Sequence, residues 1–138
     1  MGCGLCRVHC QTAHSRSRDV IKAFKREFPR PLPRIRVEKK GEVCFAVQCR
    51  QCAEPWCVYA CLTGAMRKDA ANDTIMIAAE QCIGCWTCEM ACPYGALTQD
   101  KTKSIVVKCD LCPEETIPAC VANCPNEALL LGTDGGDR

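Results

Sequence analysis

Aromatic residues are scarce in this chain of 138 residues: two Trp, two Tyr and three Phe. A chain this short supports one compact unit or two very small ones, and so few rings leave a thin hydrophobic core. Part of the folding energy must come from elsewhere. Long apolar runs are missing too. The longest uncharged apolar stretches, such as Ile75–Ala79, reach about five residues, against the ~20 needed to span a bilayer. Cys3 and Cys6 stand where a secretory signal would place its apolar region. There is no G-x-G-x-x-G turn and no Walker sequence. No general base or nucleophile triad stands out, which argues against substrate chemistry by the chain itself.

What is abundant is cysteine. The chain has 16, roughly 12%, above the level at which cysteine usually defines a scaffold. Disulfides or metal ligation could supply the missing stability. With no export signal the expected location is cytoplasmic, where thiols stay reduced, and the reading moves from disulfides to metal.

The cysteines fall into four groups. Cys3, Cys6 and Cys10 form C-x2-C-x3-C. Cys49, Cys52, Cys57 and Cys61 form C-x2-C-x4-C-x3-C. Cys82, Cys85, Cys88 and Cys92 form C-x2-C-x2-C-x3-C and are followed by Pro93. Cys109, Cys112, Cys120 and Cys124 form C-x2-C-x7-C-x3-C and are followed by Pro125. The third group is the most specific, because this run with its proline is the bacterial-type ferredoxin motif that binds [4Fe–4S] clusters. Three thiolates on a tight loop can reach three irons, and the fourth cysteine points to the other cluster of a pair. Zinc is the rival. The second or fourth group alone could close on one zinc, but the crowded run Cys82, Cys85, Cys88 suits a single tetrahedral ion poorly.

Three groups end alike: Cys61-Leu62-Thr63-Gly64-Ala65-Met66, Cys92-Pro93-Tyr94-Gly95-Ala96-Leu97 and Cys124-Pro125-Asn126-Glu127-Ala128-Leu129. After the first two come polar turns, Ala70–Asp73 and Lys101–Ser104, and then the β-rich runs Thr74–Ile77 and Ile105–Val107. The repeated unit is a cysteine loop, a short helix carrying x3-C, and a β-hairpin. Between the first two groups, Ser17-Arg18-Asp19 could cap a helix whose face holds Val20, Ile21, Phe24 and Phe28, ended by Pro29, Pro31 and Pro33. That face is expected to cover a cluster loop, as such stripes usually face a core. Arg34–Val37 alternates like an edge strand, and Gly41 marks the next turn.

The pattern resembles the four-cluster ferredoxin-like electron-transfer subunits that accompany molybdenum or tungsten oxidoreductases, formate dehydrogenases, hydrogenases and CO dehydrogenases. Arg34–Val37 with Gln48–Cys57 looks like the start of that family's second group, and Cys109–Cys112 with Pro118–Cys120 like its fourth. The shortness and soluble character look most like the CO-dehydrogenase-associated ferredoxin. The resemblance implies an α+β fold of tandem bacterial-type two-[4Fe–4S] modules, one inserted within the other, with short helices and β-hairpins. The outer module is expected over 1–41 and 101–138, including a basic insert at about 15–40, and the inner module over 42–100.

The resemblance also implies the ligand sets. Cys49, Cys52, Cys57 and Cys92 would hold one inner cluster, and Cys82, Cys85, Cys88 and Cys61 the other. Cys109, Cys112, Cys120 and Cys10 would hold a third. A fourth site would have only Cys3, Cys6 and Cys124, since the spacing puts the missing cysteine just before Met1. Either the natural start lies upstream, or this site holds [3Fe–4S], takes a non-cysteine ligand or stays empty. Three [4Fe–4S] clusters are therefore expected to be complete, with a fourth in addition. The expected function is to relay single electrons between CO dehydrogenase, as donor, and a hydrogenase or flavin-dependent NAD(P) reductase. The alternatives are a tightly bound wiring subunit of a formate, aldehyde or molybdopterin oxidoreductase, and a zinc-structured binding module.

Cys44 fits no group and reads as a small buried apolar residue. His9 and His14 read as hydrogen-bond donors near a cluster, and Trp56 and Trp86 as shields against water. Net charge is +2, but residues 7–40 hold 11 Lys or Arg against 3 Asp or Glu, and the rest of the chain is net acidic. Four oxidised clusters with their thiolates would bring the whole to about −6. The basic stretch reads as charge compensation or a docking face. It has no accompanying nucleic-acid motif.

Overall fold

Short strands joined by polar turns form three two-stranded sheets in the computed structural model, which describes residues 2–132. The chain is α+β. Helix α1 (Leu5–Ala13) and helix α2 (Val20–Lys25) precede strands β1 (Ile35–Lys40) and β2 (Val43–Gln48), which pair with each other. Next come α3 (Trp56–Tyr59), β3 (Met66–Lys68), β4 (Ile75–Ile77), α4 (Thr87–Ala91), β5 (Thr98–Asp100), β6 (Ile105–Val107) and α5 (Ala119–Ala122). The described chain divides into two units. One takes the residues up to Val47 and those from Leu111 onward; the other is Gln48–Asp110. Residues 133–138 of the expected outer module lie outside the described residues.

The unit Gln48–Asp110 is built from two matching halves. In each, a cysteine helix leads to an antiparallel hairpin: Met66↔Ile77 to Lys68↔Ile75 in the first, Thr98↔Val107 to Asp100↔Ile105 in the second. The hairpin loops share their chemistry. The Asp69 and Asp100 carboxylates each accept from the backbone N–H two residues on, Ala71 and Thr102, a turn that short acidic side chains form readily. The two halves meet in a core of Cys57, Met66, Ile75, Cys88, Leu97 and Val106. Corresponding positions of the halves supply it in pairs: Cys57 with Cys88, Met66 with Leu97, Ile75 with Val106. Six residues make a small core, as the shortage of rings implied.

The repeated tails fold alike. Three residues after Cys61, Cys92 and Cys124 stand Gly64, Gly95 and Glu127, all left-handed, with φ of 68°, 55° and 51°. Each returns its N–H to the carbonyl of the cysteine, at 3.4, 3.1 and 3.1 Å. Glycine takes this conformation freely, whereas Glu127 carries a Cβ penalty there.

The helix after Asp19 departs from expectation. Asp19 does cap it, accepting from Lys22 N–H at 2.8 Å. But the helix ends at Lys25, so Phe28 lies beyond it. Val20, Ile21 and Phe28 are exposed, and the only buried residue of α2 is Ala23. The apolar stripe is thus not a lid over a cysteine loop. Helix α2 packs against α1, and a small side chain allows that close approach where the large ones would not.

Candidate metal centres

One local rule places a cysteine from each group. In all four it is the second residue of a short helix: Cys6 in α1, Cys57 in α3, Cys88 in α4 and Cys120 in α5. All four are buried. The turn before each helix has one of two forms. Gly4 and Trp86 are left-handed N-caps, while Pro55 and Pro118 start the other two helices with a fixed φ. Four residues later stand Cys10, Cys61, Cys92 and Cys124; Cys10 is still within α1, one helical turn on, whereas Cys61, Cys92 and Cys124 lie just past the ends of α3, α4 and α5.

The C-x2-C loops before these helices also share a conformation. The residue ahead of the second cysteine is left-handed in three of them: Gln51, Gly84 and Leu111, with φ of 50°, 66° and 63°. Gly84 has a second reason to lack a side chain, because a Cβ there would collide with the Ser104 carbonyl.

In the unit Gln48–Asp110 the cysteines gather in two sets. Cys61, Cys82, Cys85 and Cys88 line one cavity, walled by Met66, Ile77, Trp86 and Val106. Cys49, Cys52, Cys57 and Cys92 come together as the second set, with Cys49 and Cys92 close enough to act on both Cys52 and Cys57. Burial pushes the Cys57 thiol up to about 11, with repulsion from Cys49, Cys92 and Cys52 adding to it and the Lys108 ammonium opposing it. Burial likewise raises Cys88 to about 11, helped by repulsion from Cys61, Cys57 and Cys85. Burial and repulsion from Cys49 and Cys92 raise Cys52. Cys57 and Cys88 repel each other and share the core, so the two sets are immediate neighbours.

Other thiols are lowered, because hydrogen bonds favour the thiolate. Burial pushes the Cys61 thiol up, but N–H donation from Met66, with the Thr63 hydroxyl, outweighs it. The Thr87 hydroxyl lowers Cys85. At Cys124 the backbone N–H groups of Leu129, Ala128, Asn126 and Glu127 together outweigh burial. The Ala128 N–H lies 3.3 Å from its sulfur. Such donors hold charge on sulfur and tune an iron–sulfur site.

In the other unit, Cys6, Cys10 and Cys120 are buried together with Ile35, where α1 packs on α5. Cys112 is buried as well, and Cys109 falls in the unit Gln48–Asp110. The Arg34 N–H donates to the Cys10 sulfur at 3.2 Å. His14 Nδ1 lies 2.7 Å from the Cys10 carbonyl oxygen and 3.8 Å from its sulfur. Burial raises Cys6, with repulsion from Cys3 and Cys124 adding to it, and these three line one cavity. Cys44, in β2, lines the same cavity as they do.

One position differs from the sequence reading, and two residues were missed by it. Trp86 does pack on the core, but Trp56 is 60% exposed and shields nothing; it meets Tyr59 edge-on instead. The missed residues are Gln51 and Lys108. Buried Gln51 accepts from Ile75 N–H at 2.8 Å and donates to the Cys109 carbonyl at 3.0 Å. Lys108, only 3% exposed, donates to the carbonyls of Ile75 and Cys109. A polar side chain inside a C-x2-C loop was the one available signal for Gln51. Nothing local marked Lys108.

The donor chemistry fits iron–sulfur clusters. All 16 cysteines are free of disulfides. Their thiols gather in sets that each include a buried member, and backbone N–H groups point at several sulfurs. Comparison with known proteins agrees. The chain is 35% identical to an iron–sulfur protein of Rhodospirillum rubrum, over 95% of this chain and 76% of that one. It is 37% identical to the electron transport protein HydN of Escherichia coli, over 94% of this chain and 81% of that one. It is 34% identical to the NADH-dependent phenylglyoxylate dehydrogenase subunit beta of Aromatoleum evansii, over 93% of this chain but 27% of that subunit. The family profile of the 4Fe–4S dicluster domain matches residues 42–134. With most of its length matched and its thiols gathered in neighbouring sets, the chain belongs to the 4Fe–4S dicluster domain family.

Proposed function

We propose that this chain relays single electrons through [4Fe–4S] clusters between two partner proteins and performs no substrate chemistry of its own. The observation that carries the reading is the pair of neighbouring cysteine sets in Gln48–Asp110, joined through the shared core residues Cys57 and Cys88. Two redox sites in contact with one core suit transfer from one to the next. In this reading Cys49, Cys52, Cys57 and Cys92 hold one cluster, and Cys61, Cys82, Cys85 and Cys88 the next.

The clusters supply one-electron chemistry; the chain holds them, keeps water out and sets their potentials. Met66, Ile77, Trp86 and Val106 form the apolar wall of one site. The N–H groups of Met66, Arg34 and Ala128 stabilise negative charge on sulfur. Lys108 does so from inside the core through its charge at Cys57.

The resemblance in the cysteine pattern points to CO dehydrogenase as donor, with a hydrogenase or flavin-dependent NAD(P) reductase as acceptor. A second reading, a tightly bound wiring subunit, is favoured by the likeness to a dehydrogenase subunit. The test begins with anaerobic purification, counting iron and acid-labile sulfide and recording reduced-state EPR spectra. At least eight irons per chain, about four for each inner site, are expected. Colourless protein with zinc and no iron would overturn the reading. Reduction of the chain by CO dehydrogenase and CO, with onward transfer to an acceptor, would support the soluble relay. A catalytic chain that stays bound through size exclusion would support the wiring subunit instead.

A further inference from the structure

The two halves of Gln48–Asp110 repeat at an offset of 31 residues, which pairs Cys57 with Cys88, Cys61 with Cys92 and Ile75 with Val106. The repeat breaks beside the cysteine sets. The same offset pairs Ile77 with Lys108 and Thr63 with Tyr94. Ile77 belongs to the apolar wall around Cys61, Cys82, Cys85 and Cys88, whereas the Lys108 charge acts at Cys57 in the other set. The site walled by Ile77 has hydroxyls instead.

A local turn delivers each hydroxyl. Thr63 follows Cys61 by two residues, and left-handed Gly64 folds the tail back, its N–H returning to the Cys61 carbonyl. Thr63 Oγ1 lies 3.9 Å from the Cys61 sulfur. Thr87 follows Cys85 by two residues, across left-handed Trp86, the N-cap of α4. Thr87 Oγ1 donates to the Cys85 sulfur at 3.5 Å. A thiolate on iron has no proton, so in both pairs the hydroxyl is the donor. The corresponding residues of the other set face different partners. Two residues after Cys52, Glu54 accepts from the Tyr59 hydroxyl at 3.0 Å. Two residues after Cys92, the Tyr94 ring centre lies 4.8 Å from the Arg50 guanidinium.

A hydrogen bond to sulfur favours the more negative, reduced state of a cluster. We propose that Thr63 and Thr87 set the reduction potential of the Cys61, Cys82, Cys85 and Cys88 site separately from that of its neighbour, so that two sites built on one repeated fold are tuned independently. The proposal rests on the iron–sulfur reading above and adds which side chains distinguish its two sites.

The test is an EPR-monitored redox titration of the full chain, purified anaerobically with its clusters. The paramagnetically shifted cysteine β-proton signals in NMR assign each potential to its ligands. Valine keeps the shape of threonine and removes the hydroxyl. Thr63→Val and Thr87→Val should each lower the reduced-to-oxidised ratio of this site about 3-fold at a fixed potential, the low end for one net hydrogen bond. The double variant should lower it about 10-fold, a shift of ~59 mV for one electron. The site holding Cys57 should keep its wild-type potential, and the iron count should stay that of wild type. Thr63→Ser and Thr87→Ser retain the hydroxyl and should match wild type. A double valine variant with full iron and both potentials unchanged would overturn this proposal alone. Equal shifts at both sites would do the same, as would serine variants that shift as far as valine. Wild type with no iron in the inner sites would overturn the iron–sulfur reading and this proposal with it.

Discussion

Replacing Lys108 with methionine removes a buried charge while keeping a side chain of similar length. Lys108 is 3% exposed and its charge acts on Cys57. Stability is a poor readout of the change, because two effects oppose each other. The Ile75 and Cys109 carbonyls lose their donor, at about 1–3 kcal/mol for each buried acceptor left unpaired. Against that, the ammonium no longer has to be buried, which itself costs several kcal/mol. The reduction potential separates the two. A positive charge roughly 8 Å from a redox site, at an effective dielectric near 20, favours the reduced form by about 2 kcal/mol. At ~59 mV per 1.4 kcal/mol for one electron, this is about 85 mV. Lys108→Met should therefore lower the potential of the site holding Cys57 by that order. The site around Cys88, where the lysine is not among the main influences, should move less. Lys108→Arg should stay close to wild type. Protein-film voltammetry or an EPR-monitored redox titration of the anaerobic holoprotein reads both sites. Two potentials within ~20 mV of wild type in Lys108→Met would refute the assignment of Lys108 as a tuning charge.

Gln51→Leu should destabilise the holoprotein by about 1–3 kcal/mol in urea, because the Ile75 N–H and the Cys109 carbonyl both lose their partner; an unchanged midpoint would show that water replaces the amide. Gly84→Ala sets a Cβ against the Ser104 carbonyl at a φ of 66°. A loss of at least ~2 kcal/mol and a reduced iron count should follow, and full iron content with wild-type melting would contradict that geometry. Removing iron with a chelator should abolish the cooperative thermal transition of the unit Gln48–Asp110, because its core is six residues and two of them are the cysteines Cys57 and Cys88. Circular dichroism checks this, and a stripped chain melting within a few degrees of the holoprotein would count against it.

Much of the candidate site was legible because its signals are local. The turn residues Ala70–Asp73 and Lys101–Ser104 sit between the strands they were expected to join, since Asp69 and Asp100 bond to backbone only two residues away. The tails after Cys61, Cys92 and Cys124, alike in sequence, also fold alike, each with a left-handed residue three positions on. The expectation for α2 failed for a physical reason. Helical spacing shows which residues share a face, but not what that face meets, and here Val20 and Ile21 meet solvent while Ala23 is buried. Trp56 is a similar case: its place inside a cysteine loop did not determine which way the ring points.

By itself the sequence determined the four cysteine groups, the short helices within them and the two hairpins. Each is local in the chain, lying within one short segment where covalent geometry and backbone sterics leave few choices. Only the tertiary structure decided that Lys108 lies buried beside Cys57, that Gln51 ties Ile75 to Cys109, and that Cys44 on β2 shares a cavity with Cys3, Cys6 and Cys124. These partners are far apart in the chain. What brings them together is the packing of separate elements around a shared core, which no spacing rule encodes.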